Sequence, residues 1–280
     1  MNIKYARSLS KWVGSISPKL LFQLSYFHNR GKFPNLRSPQ NLSEIIGLQM
    51  LSGEINQYAP FADKVEMRKY IAEWLGEGYL PILYGVWDHF NEIDFEVLPN
   101  QFVLKTNHGC NCNIICYEKN KLDFHWAERK IEDSLKSVYG GVLETQYSFI
   151  KPKVFAEELL SGKDDKLPID YKFHCLGGEI KGILVCAERG DDGEAMKQFY
   201  DAEWRKVNIM KRHEAPYNFE KPENFVEMKN VVEEIAKRFK QVRVDLYYVN
   251  KHIYVGELTF TPQGGILRNY TTEGLYYLAK

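Results

Sequence analysis

The spacing of apolar residues changes along the chain, from helical intervals at the start to strand-like alternation beyond Pro99. Ile16, Leu20, Leu21, Leu24 and Phe27 recur at helical spacing, which predicts an amphipathic helix docked on the protein through that stripe. Asp63 is a suitable N-cap for a helix over residues 64–75. Val65, Arg68 and Ile71-Ala72 lie on its recurring faces, and Gly76 and Gly78 end the run. Residues 81–86 read as a short strand. After Pro99 the pattern predicts strands at 101–105 and 114–117 around a polar turn, a helix around 126–136 and a strand at 152–160. Residues 170–176 and 180–187 form a hairpin turning at Gly177-Gly178. A helix over 225–240 carries Phe225, Met228, Val232, Ile235 and Phe239 on its inner face. Helices interspersed with strand pairs on short turns define an α+β protein.

The last strong alternation runs from Val242 to Phe260 and reads as two strands broken at Asn250-Lys251-His252. With a three-residue loop, Val249 faces Ile253, Tyr247 faces Val255 and Asp245 faces Glu257. Opposed residues of an antiparallel pair share a face, so Arg243 and Thr259 join the two carboxylates. Like charges opposed in this way repel, and a cation must lie between them. Mg²⁺ suits the position, because it binds through one or two carboxylates plus substrate phosphates. Neighbouring Arg or Lys would serve as well on an ordinary strand face.

Composition sets wider limits. The 280 residues are 44% apolar and 26% charged, enough for one large domain or two lobes around a core. No apolar run reaches membrane-spanning length, and the start of the chain lacks the continuous apolar stretch of a signal peptide. Cys110, Cys112, Cys116, Cys175 and Cys186 form an odd, uneven set, which points to free thiols and a cytoplasmic setting. Zinc at Cys110, Cys112, Cys116 and His108 is disfavoured, since the spacing has no CxxC and no second Cys pair. The formal net charge is zero, yet residues 1–43 hold Lys4, Arg7, Lys11, Lys19, Arg30, Lys32 and Arg37 and no acid. Such a segment can meet an anionic membrane surface at the inner face of the membrane or an acidic polymer, or serve only as a solvated helix face. The acidic remainder argues against nucleic-acid binding.

Three further segments carry chemistry. Lys105 ends a strand and enters a turn around His108, Gly109 and Cys110, where successive backbone N–H groups and a lysine would suit phosphate. Glu157, Glu158, Leu159 and Leu160 lead out of a strand into Ser161-Gly162. Free backbone groups there could meet an adenine edge, with Asp164 placed for ribose hydroxyls; an edge strand with a surface turn is the plainer alternative. Lys172 projects from a strand between Tyr171 and Phe173, and Arg189 follows the partner strand; both could be ordinary surface residues.

In order along the chain stand Ala62-Asp63-Lys64, Leu98-Pro99, Phe102-Val-Leu-Lys-Thr-Asn-His-Gly109, Asp170-Tyr-Lys-Phe173, Tyr200-Asp-Ala-Glu-Trp204, Arg243-Val-Asp-Leu-Tyr247 and Gly256-Glu-Leu-Thr-Phe260. This series resembles the TupA-like ATP-grasp family, associated with teichuronopeptide and polysaccharide biosynthesis. The resemblance implies an ATP-grasp fold: a mainly helical region over 1–98, one lobe over 99–165 and a second over 166–280. It implies ATP and Mg²⁺ as cofactors, with adenine on Glu157 to Leu160, Asp164 at the ribose, and Lys105 and Lys172 on the phosphates beneath a Gly109 lid. Asp245, Glu257 and Thr259 would hold Mg²⁺, with Thr259 standing where many ATP-grasp enzymes have Asn. Arg243 and Arg189 would stabilise the reacting carboxylate. The implied reaction joins a carboxylate, such as a sugar acid, to an amine or amino acid through an acyl phosphate. A kinase on the same fold, or a non-catalytic nucleotide- or glycan-binding module, remains open beside it.

Overall fold

The computed structural model describes residues 17–109, 112–161, 167–189, 195–211 and 214–280, with backbone alone at 188 and 189. Cys110 and Asp164, both expected in the nucleotide site, lie outside the described residues, as does the side chain of Arg189.

Two antiparallel sheets organise the molecule. Strands β1 (Leu83–Trp87), β2 (Phe102–Thr106), β3 (Asn113–Cys116) and β4 (Val154–Glu157) form one, in the order β1-β4-β2-β3. Strands β5 (Asp170–Leu176), β6 (Glu179–Arg189), β7 (Ala195–Tyr200), β8 (Gln241–Val249) and β9 (His252–Thr259) form the other, in the order β7-β6-β5-β8-β9. The α+β class is therefore as expected. The first sheet takes its edge strand β1 from residues ahead of Pro99, within the region read as mainly helical. Strand β7 has no counterpart in the sequence reading.

Seven α-helices flank the sheets among the described residues: α1 (Pro18–Arg30), α2 (Leu42–Ser52), α3 (Ala59–Ala62), α4 (Glu66–Leu75), α5 (Phe124–Leu135), α6 (Phe225–Ala236) and α7 (Thr272–Tyr277). Asp63 caps α4 as its sequence suggests: Oδ1 accepts from the N–H groups of Val65 and Glu66 at 2.8 and 3.2 Å. Helix α6 buries all five residues assigned to its inner run, Phe225, Met228, Val232 and Ile235 within the helix and Phe239 just beyond it.

The five-stranded sheet is covered on both faces. Phe173, Val244, Leu246 and Val255 pack beneath α6, α3 and α4. On the opposite face Leu184, Cys186 and Phe199 meet α1, α2 and the segment from Ile266 to Leu278. The first sheet buries Phe102, Leu104, Ile114, Val154 and Ala156 against Ala127 and Ile131 of α5.

Helix α1 departs from expectation in its packing face. Phe22 and Tyr26 are fully buried, whereas Leu20, Leu24 and Phe27 are 43%, 43% and 44% exposed. Two aromatic residues four apart fill the groove. Burying a side chain such as Phe22 contributes about 1.5–3 kcal/mol, and the Tyr26 hydroxyl is further held by Asn41 and Glu44. Leu20, Leu24 and Phe27 therefore face outward, Leu21 is half-buried, and Ile16 lies outside the described residues.

Candidate active site

The β8–β9 hairpin reaches its polar arrangement by a route the spacing did not reveal. Its turn has two residues, Asn250 and Lys251, both with positive φ (51° and 65°), and Val249 pairs with His252 rather than Ile253. That turn alone would set Asp245 against Gly256 and carry Glu257 to the other face. A bulge restores the register: Leu246 pairs with Val255, Asp245 pairs with Glu257, and Gly256 is the extra residue between them. A Cβ on Gly256 would lie 2.7 Å from the Tyr247 ring, so a side chain there would have to displace that ring.

Across three strands the side chains of one face fall into rows. Lys172, Asp245 and Glu257 form the first, and His174, Arg243 and Thr259 the next. Arg243 donates to Asp245 Oδ1 through Nε and to Asp245 Oδ2 through Nη2, both at 2.6 Å. The same Nη2 reaches Glu257 Oε1 at 3.1 Å and Thr259 Oγ1 at 3.0 Å. Lys172 Nζ lies 2.7 Å from Asp245 Oδ2 and also pairs with Asp170. Because one nitrogen touches both, Asp245 Oδ2 and Glu257 Oε1 lie at most about 6 Å apart; one Mg²⁺ with oxygen ligands at about 2.1 Å spans no more than about 4.2 Å, so both carboxylates reach it only once Arg243 withdraws from between them.

The charges on this face set one another's protonation. Burial alone would raise the Glu257 carboxyl, but Lys64, then Arg243 and Lys172, bring it down to about 2. Burial disfavours the Lys172 ammonium, and Asp170 and Asp245 overcome it, raising its pKa above the ordinary lysine value. Asp170 is raised, burial outweighing Lys172. The His174 imidazole, buried and facing Arg243 and Lys172, falls to about 3 and is neutral; it meets the Tyr270 hydroxyl at 2.8 Å.

The first sheet contributes a second ionic group. Glu157, at the end of β4, is held between Lys105 Nζ at 2.5 Å and Arg68 Nη1 at 3.2 Å. Glu158 then turns out against Ile82, donating its N–H to the Ile82 carbonyl at 2.8 Å, while Leu160 is buried and Leu159 half-buried. His108 is only 4% exposed, and burial lowers its pKa. Gly109 has φ +72°, and a Cβ there would lie 2.5 Å from the Tyr139 ring, so conformation and space both require glycine.

Residues that the sequence reading left without a role join the two sheets. Lys64 Nζ donates to the Gly109 carbonyl at 2.6 Å and lies 3.7 Å from Glu257 Oε2. Fully buried Asn107 bonds Asp63 through its side-chain nitrogen and accepts from the Lys153 N–H at 2.7 Å. Lys64 and Asn107 both stand inside quoted motifs, Ala62-Asp63-Lys64 and Thr106-Asn107-His108. The signal was present, but nothing in local spacing brings residue 64 to residue 257. Asp170 was likewise quoted only as a motif position.

Beyond Thr259 the polar face continues. Thr261 Oγ1 donates to Glu144 Oε1 at 2.6 Å and accepts from Gln146 Nε2 at 2.9 Å. Burial pushes the Glu144 carboxyl up to about 7. The loop that follows has positive φ at Gln263, Gly264, Gly265 and Leu267.

A sequence profile of the TupA-like ATPgrasp family matches residues 44–274, most of the chain. The chain belongs to that family. No curated protein matches it. Among solved structures it is similar to a D-alanine–D-alanine ligase from Bacillus anthracis crystallised with ATP, at 16% identity and a TM-score of 0.42, covering 71% of this chain and 55% of that one. It is also similar to an L-amino acid ligase from Bacillus licheniformis, at 15% identity and a TM-score of 0.46, covering 72% of this chain and 43% of that one. The chain thus spans about half the length of these ligases.

The donor set fits a Mg²⁺ ion completed by phosphates and water. Among the described residues no group of three or more His, Cys, Asp or Glu is arranged around a metal position. Mg²⁺ in phosphate-handling sites needs fewer, since phosphates and water complete its shell. Two opposed carboxylates supply that minimum, and Asp170 adds an oxygen shut off from solvent with no partner among the described residues.

Proposed function

We propose that this protein is an ATP-dependent carboxylate–amine ligase that joins an amine or amino acid to a sugar acid in surface polysaccharide assembly. In this reading it works in the cytoplasm at the inner face of the membrane. The observation that supports the ligase reading best is the opposition of Asp245 and Glu257 across β8 and β9, with Lys172 in the same row.

In this reading Asp245 and Glu257 would hold Mg²⁺, with Thr259 beside them, and the ion would supply positive charge to offset that of the nucleotide's phosphates. Lys172 from the second sheet and Lys105 from the first grip the phosphates, while the Gly109 loop covers them and Lys64 tethers that loop. The Glu157–Leu160 segment at the end of β4 would receive adenine, and Asp164, four residues further along the sequence, would meet the ribose. Arg243 and Lys172 neutralise Asp245; with Mg²⁺ held by the carboxylates, both cations would be available to phosphate and acceptor oxygens. Arg189 lies at the end of β6, one strand beyond Lys172.

Two transfers follow. An oxygen of the acceptor carboxylate attacks the γ-phosphorus and ADP leaves, giving an acyl phosphate. The amine then attacks the acyl carbon, phosphate leaves and the nitrogen loses a proton. The site contributes chiefly orientation and charge stabilisation.

The test is incubation of the purified protein with Mg²⁺, ATP and pools of sugar acids and amino acids, reading ADP release and product mass. An amide, lighter than its two components by one water, supports the reading. ADP release with a phosphorylated acceptor and no amide would make the protein a kinase. Nucleotide binding without turnover would make it a binding module.

A further inference from the structure

Seven Lys and Arg residues and no acid occupy the first 43 positions. Arg30 is used internally, donating to the carbonyls of Ile266, Leu267 and Tyr270. Lys19, Lys32 and Arg37 are exposed. Helix α1 seats Phe22 and Tyr26 in the core, so Leu20, Leu24 and Phe27 line its opposite side at positions i, i+4 and i+7. Phe33, just past the helix, is 59% exposed and stacks on Phe27 with ring centroids 4.9 Å apart. Two leucines and two phenylalanines thus form an outward strip on a segment whose ionised side chains are all cationic.

This is the chemistry of an anionic membrane interface. Leucine and phenylalanine enter the boundary between headgroups and acyl chains, while lysine and arginine meet lipid phosphates. We propose that the Leu20–Leu24–Phe27–Phe33 strip, with Lys19, Lys32 and Arg37, docks the protein on an anionic lipid bilayer. A second copy of the chain is the poorer occupant, since a two-fold contact through the strip would bring the same cations face to face. The proposal gives the inner-face location a definite surface and does not depend on which reaction the site performs.

The experiment uses the full chain and vesicles of phosphatidylcholine, with or without about a third phosphatidylglycerol. Wild type is expected to sediment with the phosphatidylglycerol vesicles at low salt, to bind them less at physiological ionic strength, and to ignore phosphatidylcholine alone. Leu24→Asp and Phe27→Asp should each lower vesicle affinity by about tenfold or more, and Lys19→Gln or Arg37→Gln by about fivefold each. Melting temperature and Mg-ATP binding should stay at wild-type values in all four, which keeps a failure here distinct from a failure of the nucleotide site. No binding of wild type to phosphatidylglycerol at low salt overturns the proposal. So does binding that Leu24→Asp and Phe27→Asp leave untouched. A dimer seen by light scattering and dissociated by Leu24→Asp would assign the strip to a second copy instead.

Discussion

At the residue scale, two glutamates along one polar face are driven in opposite directions by their neighbours. Glu257 is held at about 2 because Lys64 and Arg243 outweigh burial, whereas Glu144, with burial outweighing its bond from Thr261, rises to about 7. Their effects on stability have opposite signs. Glu257 contributes stability that is complete above its ordinary 4.5 and is lost as pH falls toward 2. Its side chain is 30% exposed, so the contribution is on the order of 1–2 kcal/mol after screening. Urea unfolding at pH 7 and pH 3 should show that loss in wild type and much less of it in Glu257→Gln. Glu144 contributes stability that is complete below 4.5 and is lost as pH rises through 7. Glu144→Gln should therefore flatten a decline of about 2–3 kcal/mol between pH 4.5 and pH 8. Asp245 is the more costly position, being 2% exposed and paired with both Arg243 and Lys172. Asp245→Asn should destabilise the protein by about 3–5 kcal/mol by leaving buried cations short of a partner. It should also remove Mg²⁺-dependent nucleotide binding. An Asn variant as stable as wild type would mean the network is solvated rather than buried.

At the scale of elements, what the sequence made legible depended on whether local pattern was enough. The β5–β6 hairpin was placed correctly because Gly177-Gly178 mark its turn. The Phe225 helix was placed correctly because its inner stripe is continuous. The opposition of Asp245 and Glu257 was also read correctly, but from a three-residue loop that is not there. A two-residue turn and a bulge at Gly256 reach the same register, because two one-residue errors in a period-two pattern cancel. Helix α1 failed differently. Its leucine stripe is a genuine periodicity, but the groove it meets accepts Phe22 and Tyr26, and only the tertiary partner decides between two apolar faces. The bulge makes a direct prediction. Gly256→Ala should cost about 1–3 kcal/mol through overpacking against Tyr247. Tyr247→Ala in the same chain should recover part of that loss, since the ring is the obstacle. Additive losses in the double variant would show that the backbone of the bulge, not the ring, is what forbids a side chain.

At the scale of the whole molecule, the site depends on contacts between parts far apart in sequence. Motif resemblance could supply the residues proposed to grip phosphate and metal, but not the tether between them. Lys64 reaches from the start of α4 to the Gly109 loop of the first sheet and to Glu257 on the second. Mg-ATP bound by the folded protein alone should stabilise it by about 2.7 kcal/mol at a hundred times Kd, visible as a higher melting temperature. Lys64→Gln shortens the side chain and removes the charge. It should change the melting temperature of the free protein little, because a 3.7 Å pair on a partly exposed carboxylate contributes only about 1 kcal/mol or less. It should lower the Mg-ATP shift clearly, because the loop loses its tie to the face proposed to hold the metal. Lys105→Gln provides the contrast: it releases Glu157 to Arg68 alone and acts within the first sheet. If Lys64→Gln left the nucleotide shift at its wild-type size while Lys105→Gln reduced it, the two sheets would bind nucleotide independently, and the tether would serve only the loop's own position.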